Sequence, residues 1–228
     1  MPGGSRSKNR CDRGDSALPY IHGFDIRSEL KKRFGLPVSI ENDANCAALA
    51  EMASGAGKKV KDAIFLVIGT GVGGALVVDK KLHHGAHLLG GEFGYLLLGQ
   101  EMTVSQIVSP VSIAERYNAK TRQALSGKEV FAKAQTGDKI ASVEVDNALQ
   151  TLALLIYNLQ YSFDPELFII GGAISKNPAL ISMLEPKLAK LRQKVKAAKL
   201  EPKIAVCHYY EQANLLGAAI NFKKMMER

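Results

Sequence analysis

The chain has 228 residues, of which 46% are hydrophobic and 23% charged, and its formal net charge is +8. This composition excludes a disordered polymer, a collagen-like fibre and a disulfide scaffold. No apolar run approaches the roughly 20 residues of a membrane span, so we expect no membrane partner. The start has no apolar segment typical of a secretory signal, and Cys11, Cys46 and Cys207 lie far apart. We therefore expect free thiols in a cytoplasmic protein.

The positive charge is concentrated in two places. Residues 1–14 carry four basic side chains and one acidic one, a net +3 that leaves +5 for the remaining chain. Residues 187–203 hold seven lysines or arginines against Glu201, with leucines at helical spacing between them. No aromatic side chains alternate with these basic residues, as a single-strand binding platform would require. The pattern favours an amphipathic helix with a solvated basic face over a nucleic-acid partner.

The first third of the chain predicts loop, helix and strand in turn. Residues 1–14 have loop composition, and order is expected to begin at Ser16. Asp25 before residues 26–34 and Gly35 after them are typical helix caps. Further elements are expected, in order, as a strand at 38–41, a helix at 44–52 and two strands at 63–68 and 75–79 around a glycine loop at 69–74.

The second half of the chain alternates helical and strand patterns. Apolar spacing and turn residues predict helices at 113–120, 128–134 and 140–160, a strand at 167–170, a helix from 178, a strand at 204–207 and a last helix from 214. This alternation predicts an α/β fold.

The glycine loop has the sequence Gly-Thr-Gly-Val-Gly-Gly and matches the dinucleotide-binding pattern G-x-G-x-x-G. That pattern needs a helix after the glycines, whereas a strand follows here, so the dinucleotide interpretation is rejected. Backbone N–H groups of Gly69, Gly71 and Gly73 can still approach phosphate oxygens, with the Thr70 hydroxyl as a further donor. A plain hairpin turn is the alternative, but four glycines in six positions favour phosphate contact.

Four other features have both a structural and a functional interpretation. Asn42 and Asp43 precede a helix, where they serve equally well as N-caps or, for Asp43, as a base for a substrate hydroxyl. Glu92, taken alone, is expected to face water. Gly171 and Gly172 end a strand where α/β folds bind ligands, although packing also explains them. The histidines at 83, 84 and 87 lack further ligands at metal spacing and are expected to be loop residues.

Several motifs in this order resemble the ROK family of bacterial sugar kinases and sugar-responsive repressors. The resemblance extends from about residue 16 to the C-terminus and implies the actin-like, ribonuclease-H-like ATPase fold. Its motifs lie at 40–51 (IENDANCAALAE), 68–75 (IGTGVGGA), 91–94 (GEFG), 163–166 (FDPE), 169–175 (IIGGAIS) and 213–219 (ANLLGAA).

The resemblance implies a role for each candidate residue. Asp43 matches the catalytic base that activates a sugar hydroxyl, and Asn42 and Glu92 match sugar ligands. Residues 69–73 match the second phosphate loop, with Thr70 near the transferred phosphoryl group. Gly171 and Gly172 match the adenosine segment. The implied reaction is phosphoryl transfer from ATP, with Mg²⁺, to a hexose or glucoside.

Two departures from the family pattern change these expectations. No Asp-x-Gly-Gly-Thr motif, which grips ATP phosphate and Mg²⁺ in the family, occurs in the sequence. We therefore expect a chain without roughly the first hundred residues of such a kinase, and impaired turnover. Tyr95 stands where zinc-binding members have histidine, and no cysteine cluster follows. This pattern resembles the zinc-free branch, so neither zinc nor another protein-bound metal is expected.

The resemblance also predicts a domain organisation. Residues 1–14 lie outside it, residues 15–60 would be a remnant of the N-terminal sugar-binding domain, and residues 61–228 would form the C-terminal ATPase-like domain. The last helix is expected to pack back on the remnant. Members of the family are often dimeric, which leaves a homodimer open. The alternative function is that of a sugar-binding repressor without catalysis, although the presence of Asp43 favours a kinase.

Overall fold

The structure is a computed structural model that describes residues 25–99 and 101–227. The predicted loop at 1–14 and the expected beginning of order at Ser16 lie outside the described residues.

A mixed five-stranded sheet forms the centre of the fold, with the strand order β3-β2-β1-β4-β5. β1 pairs antiparallel with β2 and parallel with β4, and β4 pairs parallel with β5. The hairpin and the buried strand predicted from the sequence are confirmed. The strands are β1 (Ala63–Ile68), β2 (Val72–Val78), β3 (Lys81–Leu82), β4 (Leu167–Gly171) and β5 (Ile204–Val206).

Helices make up most of the remaining structure, and the predicted ones are confirmed to within a few residues. Asp25 caps the first helix through the Ser28 amide, and Gly35 ends it with a φ of 65°, which glycine adopts without strain. None of the helices among the described residues has the length and apolarity needed to cross a membrane. The helices are α1 (Ile26–Phe34), α2 (Asp43–Ser54), α3 (Val104–Val108), α4 (Pro110–Thr121), α5 (Gly127–Gln135), α6 (Lys139–Phe163), α7 (Leu180–Lys194) and α8 (Ala213–Met226), with short 3-10 turns at Phe93–Tyr95, Ala173–Lys176 and Tyr210–Gln212.

The two faces of the sheet bury different clusters, because side chains alternate along a strand. Ile64, Leu66 and Ile68 of β1 point into a large cluster that includes residues of α3 to α7. Ala63 and Phe65 point into a smaller cluster formed with α2 and the start of α8. The fold therefore has three layers, with the sheet between two groups of helices.

α8 packs very closely across α2. A Cβ atom on Gly217 would lie 1.7 Å from the carbonyl oxygen of Cys46. This contact joins the C-terminal helix to the helix that begins at Asp43.

A buried carboxylate fixes the other end of α2. Glu51 is fully buried, and its two oxygens accept hydrogen bonds from the backbone amides of His208 (2.8 Å), Tyr209 (2.9 Å) and Ala56 (2.8 Å). Hydrogen bonds to a charged acceptor are roughly twice as strong as neutral ones. Glu51 thereby connects α2 to the segment that follows β5.

The strand predicted at 38–41 is wrong. These residues have no regular secondary structure and do not join the sheet. A side chain takes one of the polar groups that a ladder would have paired, because Arg27 donates to the Val38 carbonyl (2.9 Å). A β-strand needs a neighbouring strand to pair with, and apolar alternation over four residues does not show that such a neighbour exists.

Candidate active site

The start of α2 presents Asn42 and Asp43 at the surface. Asn42 is the N-cap, and its side-chain oxygen accepts from the Asn45 amide (3.1 Å). Its side-chain NH₂ group has no partner among the described residues, which leaves two donors available to a ligand. Asp43 is the first residue of the helix, and its exposed carboxylate is favoured there by the helix dipole. Capping therefore explains Asn42, while the predicted ligand role of Asn42 and base role of Asp43 stay predictions.

The glycine hairpin between β1 and β2 lies beside this helix start. A Cβ atom on Gly73 would lie 3.7 Å from the Cβ of Ala44, the residue after Asp43. A Cβ on Gly69 would meet nothing within 4 Å, and one on Gly71 would only touch Ser105 at 3.5 Å. Packing therefore does not require glycine at these three positions.

Gly74 differs from the other hairpin glycines. A Cβ there would lie 2.6 Å from the Phe93 ring and 2.7 Å from the Gly91 carbonyl oxygen. Part of the glycine-rich pattern therefore serves close packing, and the remainder leaves open backbone at the tip of the hairpin.

The segment that carries Glu92 crosses β2 at Gly74. A Cβ on Gly94 would lie 1.9 Å from the Val72 carbonyl oxygen, so the two backbones are in direct contact. Glu92 is half-buried between Gly91 and Phe93. Burial, and then the negative charge of Asp43, raises the pKa of the Glu92 carboxyl. The structure thus brings Asp43, Glu92 and the hairpin together, and the expectation that Glu92 simply faces water is not met.

His84 belongs to the same site, although its sequence context predicts only a loop residue. Its Nε2 lies 2.9 Å from Glu41 Oε2, and the other oxygen of Glu41 accepts from the Asn45 side chain (3.0 Å). Burial alone would raise the pKa of Glu41, but the hydrogen bonds from His84 and Asn45 outweigh it and lower that pKa. This pair ties the loop after β3 to the start of α2.

The start of α2 is an electronegative region. Burial, followed by the negative charges of Glu41 and Asp43, raises the pKa of the Cys46 thiol to about 11. The thiol is therefore protonated near neutral pH and is a poor nucleophile.

A cavity of about 440 Å³ opens after the carboxyl end of β4. Gly172 leads into it with a φ of 82°, and a Cβ there would lie 2.4 Å from the carbonyl oxygen of Ile68, the residue before the hairpin. The size is that of a small-molecule site. Close packing accounts for glycine at Gly171, where a Cβ would lie 2.8 Å from the Phe65 ring, and at Gly172, so their adenosine role stays a prediction. The cavity is lined by Pro110, Gly127, Lys128, Phe131, Ala132, Gln135, Ala173, Ile174, Lys176, Asn177 and Pro178.

Metal ligands are sparse in the described part of the chain. No three His, Cys, Asp or Glu side chains in residues 25–99 and 101–227 lie together as a ligand set. Tyr95 is 66% exposed at the position that the resemblance aligned with a zinc-binding histidine. A Mg²⁺ ion that arrives with a nucleotide needs only phosphate oxygens, waters and one or two carboxylates.

Comparison with solved structures defines the class of the protein. A ROK family protein from Streptococcus pneumoniae in complex with sucrose has a TM-score of 0.85 and 34% identity, covering 94% of this chain and 75% of that one. A ROK family glucokinase from Streptomyces griseus in complex with glucose and AMPPNP has a TM-score of 0.71 and 25% identity, covering 85% and 70%. The chain has the actin-like ATPase fold of these proteins, as predicted.

Sequence comparison leads to the same group. Residues 18–225 match the model of the ROK family. A β-glucoside kinase from Listeria innocua is 32% identical over 218 residues, which cover 90% of this chain and 71% of the relative. The chain therefore belongs to the ROK family, and its predicted similarity to ROK sugar kinases is confirmed.

Proposed function

We propose that this chain is an ATP-dependent sugar kinase. It transfers the γ-phosphoryl group of MgATP to a hydroxyl of a hexose or glucoside. The observation that carries the proposal is the convergence of three segments at the glycine hairpin. Gly73 approaches Ala44, the residue after Asp43, and Gly74 lies against Gly91 and Phe93, the two neighbours of Glu92.

Asp43 acts as the general base in the proposed reaction. The sugar hydroxyl oxygen attacks the γ-phosphorus and its proton passes to the Asp43 carboxylate. The bond between the γ-phosphorus and the bridging oxygen breaks, and ADP leaves. An acid in this role also orients the hydroxyl, and positioning accounts for most of phosphoryl-transfer catalysis.

The remaining residues bind the two substrates. The amide donors of Asn42, which have no partner among the described residues, and the carboxyl group of Glu92 hold sugar hydroxyls. Glu92 can act as donor or acceptor according to its protonation. The Gly71 backbone N–H and the Thr70 hydroxyl approach the phosphates. The Gly69 N–H donates to the Gly71 carbonyl (2.9 Å) and Gly73 pairs with Val67 of β1, so these two glycines give the phosphates room and not donors. The cavity beyond Gly172 accommodates the nucleoside, because Gly172 abuts the residue before the hairpin. Mg²⁺, when bound with ATP, neutralises phosphate charge.

The proposal is tested by incubating the 228-residue chain with ATP, Mg²⁺ and a glucose, N-acetylglucosamine, cellobiose or sucrose acceptor. We expect sugar-dependent formation of ADP and sugar phosphate in equal amounts, measured by mass spectrometry against a reaction without sugar. Because no Asp-x-Gly-Gly-Thr motif occurs in the sequence, the rate should lie below the ~10 per second of ordinary enzymes. Calorimetric sugar binding without any transfer would instead favour the repressor alternative.

Gly69 allows the phosphate role to be separated from folding. Its Cβ position is open, so Gly69→Ala should leave the thermal midpoint within about 2 °C of the unsubstituted chain. A methyl group at the hairpin tip would nevertheless keep phosphate oxygens from the backbone N–H groups, and we expect ATP affinity to fall roughly 10-fold. Isothermal titration with ATP measures this change, and adenosine serves as the ligand without phosphate. Equal loss of affinity for ATP and adenosine would contradict phosphate contact at Gly69.

A further inference from the structure

The hydroxyl of Ser105, on α3, holds the end of the glycine hairpin. Ser105 Oγ accepts from the Val72 amide at 2.9 Å and lies 3.3 Å from the Val72 carbonyl oxygen, to which it donates. Both polar backbone groups of one β2 residue are thus satisfied by a single side chain.

Val72 needs such a partner because of its place in the sheet. The Gly69 amide donates to the Gly71 carbonyl (2.9 Å), which closes the hairpin. Along two antiparallel strands, residues opposite each other alternate between hydrogen-bonded and non-hydrogen-bonded pairs. Val72, opposite Ile68, therefore directs its N–H and C=O away from β1. On that side β3 pairs only with Val77 and Val78. Ser105 takes the place of a neighbouring strand.

Ser105 also lies against the segment that carries Glu92. A Cβ atom on Gly94 would lie 2.4 Å from Ser105 Oγ, and one on Gly71 would lie 3.5 Å from it. The same hydroxyl therefore stands where the hairpin, the Glu92 segment and α3 meet.

α3 is itself held firmly, although it is short. Thr103 and Gln106 form a capping box at its start. At its end the Arg116 guanidinium donates to the carbonyls of Gln106 and Ile107, the latter at 2.9 Å, and Arg116 Nε donates to buried Glu144 at 2.7 Å. Burial would raise the pKa of Glu144, but hydrogen bonds from Lys120 and Arg116 outweigh it and lower that pKa. The helix that carries Ser105 is thus held in place by hydrogen bonds that involve α4 and α6.

We propose that Ser105 is a positioning residue that fixes the glycine hairpin relative to the segment carrying Glu92. It touches neither substrate and acts through Val72. Its effect on phosphoryl transfer rests on the proposed function, whereas its hold on the hairpin does not. In a kinase, this contact would keep the glycine hairpin and Glu92 at a constant separation.

The first test measures the hairpin directly and needs no activity. Ser105→Ala should raise the hydrogen-exchange rate of the Val72 amide by about 10-fold or more, because that amide loses the acceptor that it has among the described residues. Amides of Ile169 and Ile170 in β4 should keep their rates. Ser142→Ala is the matched control, since Ser142 is also half-buried and donates to backbone carbonyls, at 2.7 Å to Asp138, but lies on α6. Unchanged exchange at Val72 in Ser105→Ala would overturn the proposal.

The second test compares turnover in the same variants. Ser105→Ala should lower kcat roughly 10- to 100-fold, with KM values for ATP and sugar within about 3-fold, because lost positioning acts on the transition state. A merely structural role would lower the thermal midpoint and leave kcat per folded molecule equal to that of Ser142→Ala, which contradicts the proposal. If the unsubstituted chain transfers no phosphoryl group, the proposed function fails and the exchange rate of Val72 alone decides the role of Ser105.

Discussion

Asp43→Asn is expected to lower the rate of sugar phosphorylation by about 10³-fold while leaving the chain folded. The amide keeps the size of the side chain but cannot accept a proton, and general-base catalysis contributes roughly 10²- to 10⁴-fold. The loss of a negative charge in the first turn of α2 costs only about 0.3–1 kcal/mol of stability. Single-turnover assays with saturating ATP and sugar measure the rate, and circular dichroism monitors the fold.

Asp146→Asn is the matched control for this substitution. Asp146 is an exposed acid on α6 that pairs with Lys187, so the same chemical change is made away from the site. A second readout follows from electrostatics: without the charge of Asp43, the pKa of Glu92 should fall, and carboxyl NMR titration should detect this in Asp43→Asn but not in Asp146→Asn. Retention of more than about a tenth of the rate in Asp43→Asn would contradict the base assignment.

Local rules predicted those elements whose determinants are close in sequence. The Asp25 and Gly35 caps bound α1 as expected, and the apolar run at 63–68 forms β1 of the predicted hairpin. Apolar spacing also located α6, but Val143, one of the apolar residues of that helix, is 63% exposed. Periodicity identifies a helix without determining which of its apolar positions meets a neighbour.

Features that depend on distant residues could not be predicted in this way. His84 contacts Glu41 across 43 positions, and Ser105 contacts Val72 across 33. Neither belongs to a recognisable motif, because a hydroxyl or imidazole that bonds a distant partner leaves no periodic signal. The wrong strand at 38–41 has the same origin, since only the tertiary structure shows which partner a strand has.

The structure separates the glycines that close packing requires from those that it does not require. Gly69, Gly71 and Gly73 have room for a side chain, whereas Gly74 and Gly94 lie against backbone or ring atoms. The sequence pattern is equally rich in glycine at both kinds of position. Only the distances distinguish glycines that the fold requires from those for which a ligand is the remaining explanation.

Gly217→Ala is expected to destabilise the fold strongly, although it adds only one methyl group. The added Cβ would lie 1.7 Å from the Cys46 carbonyl oxygen and 2.3 Å from its carbonyl carbon, which are backbone atoms that cannot rotate away. α8 must therefore move off α2. Overpacking costs about 1–3 kcal/mol and occasionally more, and an overlap this deep with backbone atoms belongs at or above the upper end of that range. Alanine returns about 1 kcal/mol of helix propensity, which leaves a net loss of about 2 kcal/mol or more.

We expect Gly217→Ala to lose about 2 kcal/mol or more in urea unfolding and to lower the thermal midpoint by roughly 4–8 °C, since each kcal/mol corresponds to ~2–4 °C in a chain of this size. Gly69→Ala is the control, because the same methyl group enters open space there. α2 begins at Asp43, so displacement of α8 should also disturb the candidate active site, which the Glu92 carboxyl titration would register. Equal thermal midpoints for Gly217→Ala and Gly69→Ala would show that α2 and α8 are not packed as closely as the structure describes.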